Sequence, residues 1–136
     1  MITLRRSTDY ALLDDLDHEM FPIDTPETKV APNILWWVLW DDDRAIGFTG
    51  LKLLDSGVAF LLRSGVVKDY QGRGLQKKMI QVREKAARKL EYETIITYTE
   101  RHNYASANNL ISQGYKLYYP EYVYGFRTAL YFIKNF

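Results

Sequence analysis

The sequence predicts an α/β domain in which one mixed sheet carries helices on both faces. Three observations predict it. Short β-branched and aromatic runs alternate with strongly amphipathic stretches. The middle of the chain reads as an antiparallel meander, whereas the second half alternates strand and helix, which brings in a parallel pair. The 136 residues are 47% apolar, without repeats or linkers, which suits a single domain over 1–136 and is too apolar for disorder.

Ile2 to Arg6 reads as a short strand. Ser7 or Thr8 then caps a helix that carries Leu12, Leu13, Leu16 and Met20 at helical spacing. Phe21-Pro22 ends that helix, and residues 22–33, with three prolines, form a loop or a short second helix. Ile34 to Trp40 is a strand whose alternation sends Trp37 to the opposite face from Trp36 and Trp40. After the polar turn Asp41–Arg44, Ala45 to Leu54 is its hairpin partner. Val58 to Val67 follows the Asp55-Ser-Gly57 turn as a further strand. From about Gly74 to Leu90 the chain is helical. Leu75, Met79, Val82, Ala86 and Leu90 form the stripe that packs on a sheet, and Lys77, Lys78, Arg83, Lys85, Arg88 and Lys89 form the opposite, solvated face. Thr94 to Thr99 is a β-branched strand. Asn103 caps a helix to about Ser112, Gly114 stops it, and Tyr115 to Phe136 forms a final hairpin turning near Gly125.

Composition narrows the chemistry. With no cysteine there is no disulfide framework, thiol nucleophile or thiolate zinc site. His18 and His102 alone do not make a metal centre, so no metal is expected. The longest apolar run, Ile34 to Trp40, is too short for a bilayer, and the chain opens into charged sequence at Arg5. The expectation is a cytoplasmic protein with no membrane partner. A net charge of +1 and basic residues without interleaved aromatics argue against a nucleic-acid partner. The charge is nevertheless lopsided. Residues 1–60 hold 5 Lys/Arg against 11 Asp/Glu, and residues 61–136 hold 13 against 6. That split fits either two solvated helix faces of opposite sign or an acidic site for a cation and a basic site for an anion.

The segment richest in chemistry runs from Val66 to Gln76, Val-Val-Lys-Asp-Tyr-Gln-Gly-Arg-Gly-Leu-Gln. A strand enters a Gly72-Arg73-Gly74 turn that opens directly into a helix. Glycines permit φ > 0 and close approach, and the first helical N–H groups have no partner and carry the positive end of the dipole. Such a junction cradles phosphate. It is not the dinucleotide fingerprint, whose third glycine would fall at Lys77, nor a P-loop.

Residues 59–76, Ala-Phe-Leu-Leu-Arg-Ser-Gly followed by Val66 to Gln76, resemble the fourth strand and pyrophosphate loop of the GNAT superfamily of acyl-CoA-dependent N-acyltransferases. The signature Arg/Gln-x-x-Gly-x-Gly/Ala is met by Gln71 and Gly74, with Gln76 in place of the usual small residue. Downstream, Asn103 to Tyr115 resembles the family's Asn-x-x-Ala/Ser…Gly-Phe/Tyr segment. The resemblance implies a central mixed, mostly antiparallel sheet of six to seven strands with a splayed parallel pair. It implies an N-acetyltransferase moving acetyl from acetyl-CoA, its co-substrate, to an amine acceptor by direct attack through a tetrahedral intermediate. The acidic segment from Asp9 to Glu27 would attract a cationic acceptor. Gly65 would start the splay as a bulge. The N–H of Val66 or Val67 would hold the acyl oxygen. The amides of Gln71, Gly72, Arg73, Gly74, Leu75 and Gln76 would hold the pyrophosphate with help from Arg73 and Lys77, and Asn103 would reach the pantetheine arm.

Two positions depart from the family pattern. The tyrosine acid often found seven residues after the asparagine is Leu110 here, and the glutamate base of the ribosomal-protein-acetylating branch is Tyr98, which argues against that branch. Glu100 is then the candidate base through water, and Tyr98 and Tyr115 are candidate acids. The same departures fit an alternative, a catalytically degenerate CoA-binding regulatory or interaction module. Monomer and homodimer are equally compatible with the sequence.

Overall fold

The computed structural model describes residues 1–28 and 30–136. Its elements are β1 (Ile2–Ser7), α1 (Tyr10–Met20), β2 (Ile34–Asp41), β3 (Arg44–Leu53), β4 (Val58–Val66), α2 (Leu75–Lys89), β5 (Thr94–Thr99), α3 (Tyr104–Ser112), β6 (Lys116–Leu117) and β7 (Leu130–Asn135). They form one seven-stranded sheet in the order β1-β2-β3-β4-β5-β7-β6, antiparallel throughout except between β4 and β5. The expected mixed sheet with helices on both faces is present. Leu13 and Leu16 of α1 pack on Trp36, Val38 and Phe48. On the other face, Ile80 and Ala87 of α2 and Leu110 of α3 pack with Trp37, Leu61, Ile95 and Phe132. Strand alternation therefore divides the tryptophans as expected.

Several local expectations need correction. Helix α1 is capped by Asp9, whose carboxylate accepts from the N–H of Leu12 at 3.1 Å, rather than by Ser7 or Thr8. Ser7 instead accepts from the N–H of Asp9, one step upstream. Among the described residues between α1 and β2 there is no second helix. The final hairpin pairs only two residues of β6 with β7, and residues 118–129 make a long loop instead. The buried face of α2 is Leu75, Met79, Ile80, Arg83, Glu84 and Ala87, while Leu90 is half exposed. Arg83, assigned from sequence to the solvated face, is thus in the core. A carbonyl acceptor in the sheet draws it inward, a feature periodicity does not report.

Gly65 does not form the bulge. It pairs in register with Phe48, and the space a side chain would occupy there is filled by Met20, Phe21 and Phe48. The irregularity lies earlier, where Leu62 and Arg63 of β4 together oppose Gly50 of β3. Immediately before it, the parallel partnership of β4 with β5 ends. Pairing covers only Val58–Phe60 against Thr94–Ile96, after which the strands diverge. This is the splay.

Gly50 lies against the Trp36 ring, and an added Cβ would sit 2.5 Å from a ring carbon. Overpacking of this kind costs about 1–3 kcal/mol. Gly50→Ala should therefore lower the urea midpoint by that equivalent with little change in m, as measured by equilibrium denaturation.

Candidate active site at the β4–β5 splay

A cleft of about 1240 Å³ follows the splay through the sheet. One end is lined by the β4–α2 junction and the start of α3, the other by Asp24, Glu27, Arg63 and Phe126. What the cleft can bind depends on which backbone groups of β4 remain unpaired. The N–H of Val67 donates to Ile46 O at 2.8 Å, so it faces β3. Antiparallel alternation then turns the N–H groups of Ser64 and Val66 the other way, toward the splay. Val67 accordingly cannot be the oxyanion donor expected from sequence, and the geometry leaves that position to Ser64 and Val66.

Three carbonyls of β4 are occupied. Leu61 O accepts from the Thr97 hydroxyl at 3.0 Å, Leu62 O from Arg83 Nη1 at 3.1 Å, and Val66 O from Gln71 Nε2 at 3.0 Å. The upper part of β4 thus turns two N–H donors, those of Ser64 and Val66, toward the cleft, and such donors suit a carbonyl oxygen acquiring negative charge.

The junction above it is built as an anion cradle. Gly72 and Gly74 have φ of 79° and 75°, and Gly74 occupies the cap of α2 in the left-handed region. A Cβ at either would meet nothing within 4 Å, so backbone conformation and open approach, not crowding, require glycine. The first N–H groups of α2 face the cleft without intrahelical partners. Gln76 and Lys77 both line it. The outer side of the junction is anchored to β2 and β3. The Tyr70 hydroxyl donates to Asp41, and Arg44 pairs with Asp69 at 2.9 Å. Those contacts hold the Asp41 carboxyl below the usual range through the Tyr70 hydrogen bond, and the Asp69 carboxyl through Arg44. Arg73 belongs to this anchoring side. It donates to Asp69 O at 3.1 Å and lies over the Tyr70 ring, and it does not line the cleft. The side-chain role expected for Arg73 thus becomes a loop-holding one.

Asn103 lines the cleft as the cap of α3, using Oδ1 to accept from the Ser106 N–H at 3.2 Å. Its amide NH2 group is not used by that cap. A cradle for diphosphate, two strand N–H groups for an extended amide arm and an asparagine beside them fit a diphosphate-bearing acyl carrier, with the arm bound as an added strand.

The proton-transfer candidates separate. Tyr98 lines the cleft, its ring packed between Phe60 at 5.9 Å and Phe126 at 5.8 Å. Burial, reinforced by Glu27, pushes its phenol up, so it stays protonated at neutral pH. Glu100 lines the cleft at the exposed end of β5. Tyr115 does not reach it. That residue is 2% exposed in the core, near Glu84 and the Lys134 ammonium, and burial raises its phenol strongly. Burial of its ring removes Tyr115 as an acid. Leu110 lines the cleft with an apolar side chain.

Arg63, Ser64 and Arg83 are cleft residues that the sequence reading missed. Arg63 interrupts an apolar strand, and an unexplained charge in a strand is the one signal that would have found it. It pairs with the buried Asp17 at 2.7 Å and Glu27 at 2.9 Å, lies 3.6 Å from Asp24, and stacks over Phe21. Asp17 also accepts from the N–H groups of Glu27 and Thr28. Part of the acidic segment is therefore a clamp that folds the α1–β2 loop onto β4. Three carboxylates around one guanidinium still leave a net negative charge at this mouth.

Among the described residues there is no cluster of three or more acidic or imidazole groups placed for a metal ion, and no helix long and apolar enough to cross a membrane. Residues 4–115 match a family model described as the acetyltransferase (GNAT) family. A comparison with curated protein sequences found no match. Solved structures share the fold at low identity. An IAA acetyltransferase from Bacillus cereus is 13% identical with a TM-score of 0.83, covering 100% of both chains. The PaiA N-acetyltransferase from Thermoplasma acidophilum, in complex with coenzyme A, is 18% identical with a TM-score of 0.80, covering 100% of this chain and 99% of that one. Arabidopsis thaliana NAA60, in complex with acetyl-CoA, is 18% identical with a TM-score of 0.79, covering 99% and 98%.

Removing Arg63 would strand Asp17 in the interior. Arg63→Ala should cost about 3–5 kcal/mol of stability, checked by denaturation. At Gly74, a Cβ at positive φ costs about 1–2 kcal/mol. Gly74→Ala should weaken binding of a diphosphate ligand by roughly 5–30-fold in calorimetry.

Proposed function

Because the chain belongs to the acetyltransferase (GNAT) family, we propose that it transfers an acetyl group from acetyl-CoA to a primary, cationic amine. The observation that carries this reading is the splay itself, with strand N–H donors directly below an anion cradle. The amides from Gln71 to Lys77 hold the pyrophosphate, and the N–H groups of Ser64 and Val66 receive the pantetheine arm and the acyl oxygen. Asn103 supplies a side-chain contact to that arm. The amine enters from the mouth formed by Asp24, Glu27 and Phe126, whose net charge favours a cation.

The mechanism is direct attack. The amine lone pair adds to the thioester carbon, the charge that forms on oxygen is held by strand amides, and collapse expels the sulfur. Freeing an amine of lysine-like pKa near 10.4 at pH 7 costs roughly 4.6 kcal/mol. Positioning alone contributes on the order of 7–11 kcal/mol, so a weak base suffices. Glu100, reached through water, takes the amine proton, and Tyr98 is the protonated group nearest the acceptor side.

A second reading, a CoA-binding module without turnover, is favoured by Leu110 at the acid position and by the burial of Tyr115. The two are separated by thiol release from acetyl-CoA in the presence of protein N-termini, lysine, polyamine and aromatic amines. Transfer to at least one cationic amine is expected, and binding without transfer to any of them would favour the module. Neutralising the mouth with Asp24→Asn and Glu27→Gln should raise the acceptor KM several-fold and leave the acetyl-CoA KM unchanged, as read from steady-state kinetics.

A further inference from the structure

Arg83 plays no part in the roles above, and an arginine in the sheet-facing side of a helix requires a reason. It is 2% exposed. Its Nε donates to Met79 O at 3.0 Å, one turn back on α2, and Nη1 donates to Gly50 O at 3.2 Å and Leu62 O at 3.1 Å. The guanidinium therefore sits beneath the bulge, two residues along β4 from Ser64. Among the described residues it forms no ion pair, and its Nη2 makes no hydrogen bond, although the residue lines the cleft. The neighbouring Glu84 turns instead to Lys134 at 2.9 Å, and Tyr115 lies on the same side with its phenol protonated. Burial pushes the guanidinium down to about 10, which leaves it cationic at neutral pH. Burying a cation without a counter-ion is costly, and Nη2 is left without a hydrogen-bond partner among the described residues in a side chain that lines the cleft.

The position where the family resemblance puts an acid holds Leu110, which lines the cleft with Ile80 and Arg83, and neither apolar side chain can deliver a proton to a leaving group. We propose that Arg83, through Nη2, holds the negative charge that develops on the thioester sulfur and so replaces protonation of the leaving group. This rests on the acetyl-transfer reading. The new C–N bond forms from the amine lone pair, and the C–S bond breaks with its electron pair on sulfur. The surplus amine proton passes through water to Glu100, and the thiolate departs unprotonated as the partner of the guanidinium. A neighbouring arginine lowers a thiol pKa by the same electrostatics.

The test uses the whole chain with coenzyme A, following ionisation of the bound thiol by the NMR shift of the methylene carbon next to sulfur. The bound thiol should titrate at least about one unit below free coenzyme A in the native protein and in Arg83→Lys, and return to the free value or above in Arg83→Gln. In acetyl transfer, Arg83→Gln should lose about 10–100-fold in kcat at an unchanged acetyl-CoA KM, with most of the loss recovered in Arg83→Lys. A bound thiol in the native protein no more acidic than the free one overturns the proposal without recourse to any variant. Equal titration in the native and Gln proteins overturns it as well, and so does a kcat loss matched by a rise in acetyl-CoA KM, which would mark a purely structural arginine. Failure to acetylate any amine would sink the transfer reading alone, because the thiol titration still reports on Arg83. Failure to bind coenzyme A would sink both.

Discussion

Two strands that diverge give up the hydrogen bonds they shared, and each abandoned group needs another partner. At the β4–β5 splay the debt is settled unequally. The carbonyls of Leu61 and Val66 are taken by the side chains of Thr97 and Gln71, while Arg83 takes Leu62 O at the neighbouring bulge with β3. The N–H groups of Ser64 and Val66 are turned toward the opening. Side-chain donors thus meet two of the carbonyls, and the strand amides stay open to the cleft.

The α1 face of the sheet obeys a different constraint. A single helix, α1, covers its face of the sheet over β2 to β4, and β5 and β7 would be bare beyond it. The loop of residues 118–129 fills the gap, stacking Tyr124 on Phe60 and Tyr131 and placing Phe126 against Tyr98. Across the mouth, the Arg63 clamp ties the α1–β2 loop to β4 through Asp17 and Glu27. The two mouths of the cleft are thus built from unlike materials. Main chain dominates at the glycine-rich junction, and aromatic rings and charge dominate at the other end.

That contrast explains what was legible in the sequence. Period-2 and period-3.6 patterns located the elements, and Gly72, Gly74 and Asn103 announced the cradle because their conformational requirements are local. The face of α2 was misread because Arg83 is polar, and only the three-dimensional bulge gives it carbonyls to bind. Gly65 looked like a bulge for want of any way to see Met20 and Phe21 filling its place. Tyr115 follows the same logic, since its sequence position could not reveal that its ring faces the core rather than the cleft. Asp9 displaced Ser7 and Thr8 as the cap because a shift of one or two residues changes little in sequence and everything in which N–H is reached. Charge counting found the acidic segment, yet could not divide the carboxylates that clamp Arg63 from those left to a visitor.

The strand amides at Ser64 and Val66 carry one last consequence. A peptide N–H is common to every amino acid except proline, so the donors that face the cleft do not depend on which side chains occupy those positions. Substitution there can alter packing, but only proline deletes a donor outright. The donor-lined end of the cleft therefore tolerates side-chain change, while the opposite mouth, composed of individual rings and carboxylates, changes its character with each residue replaced.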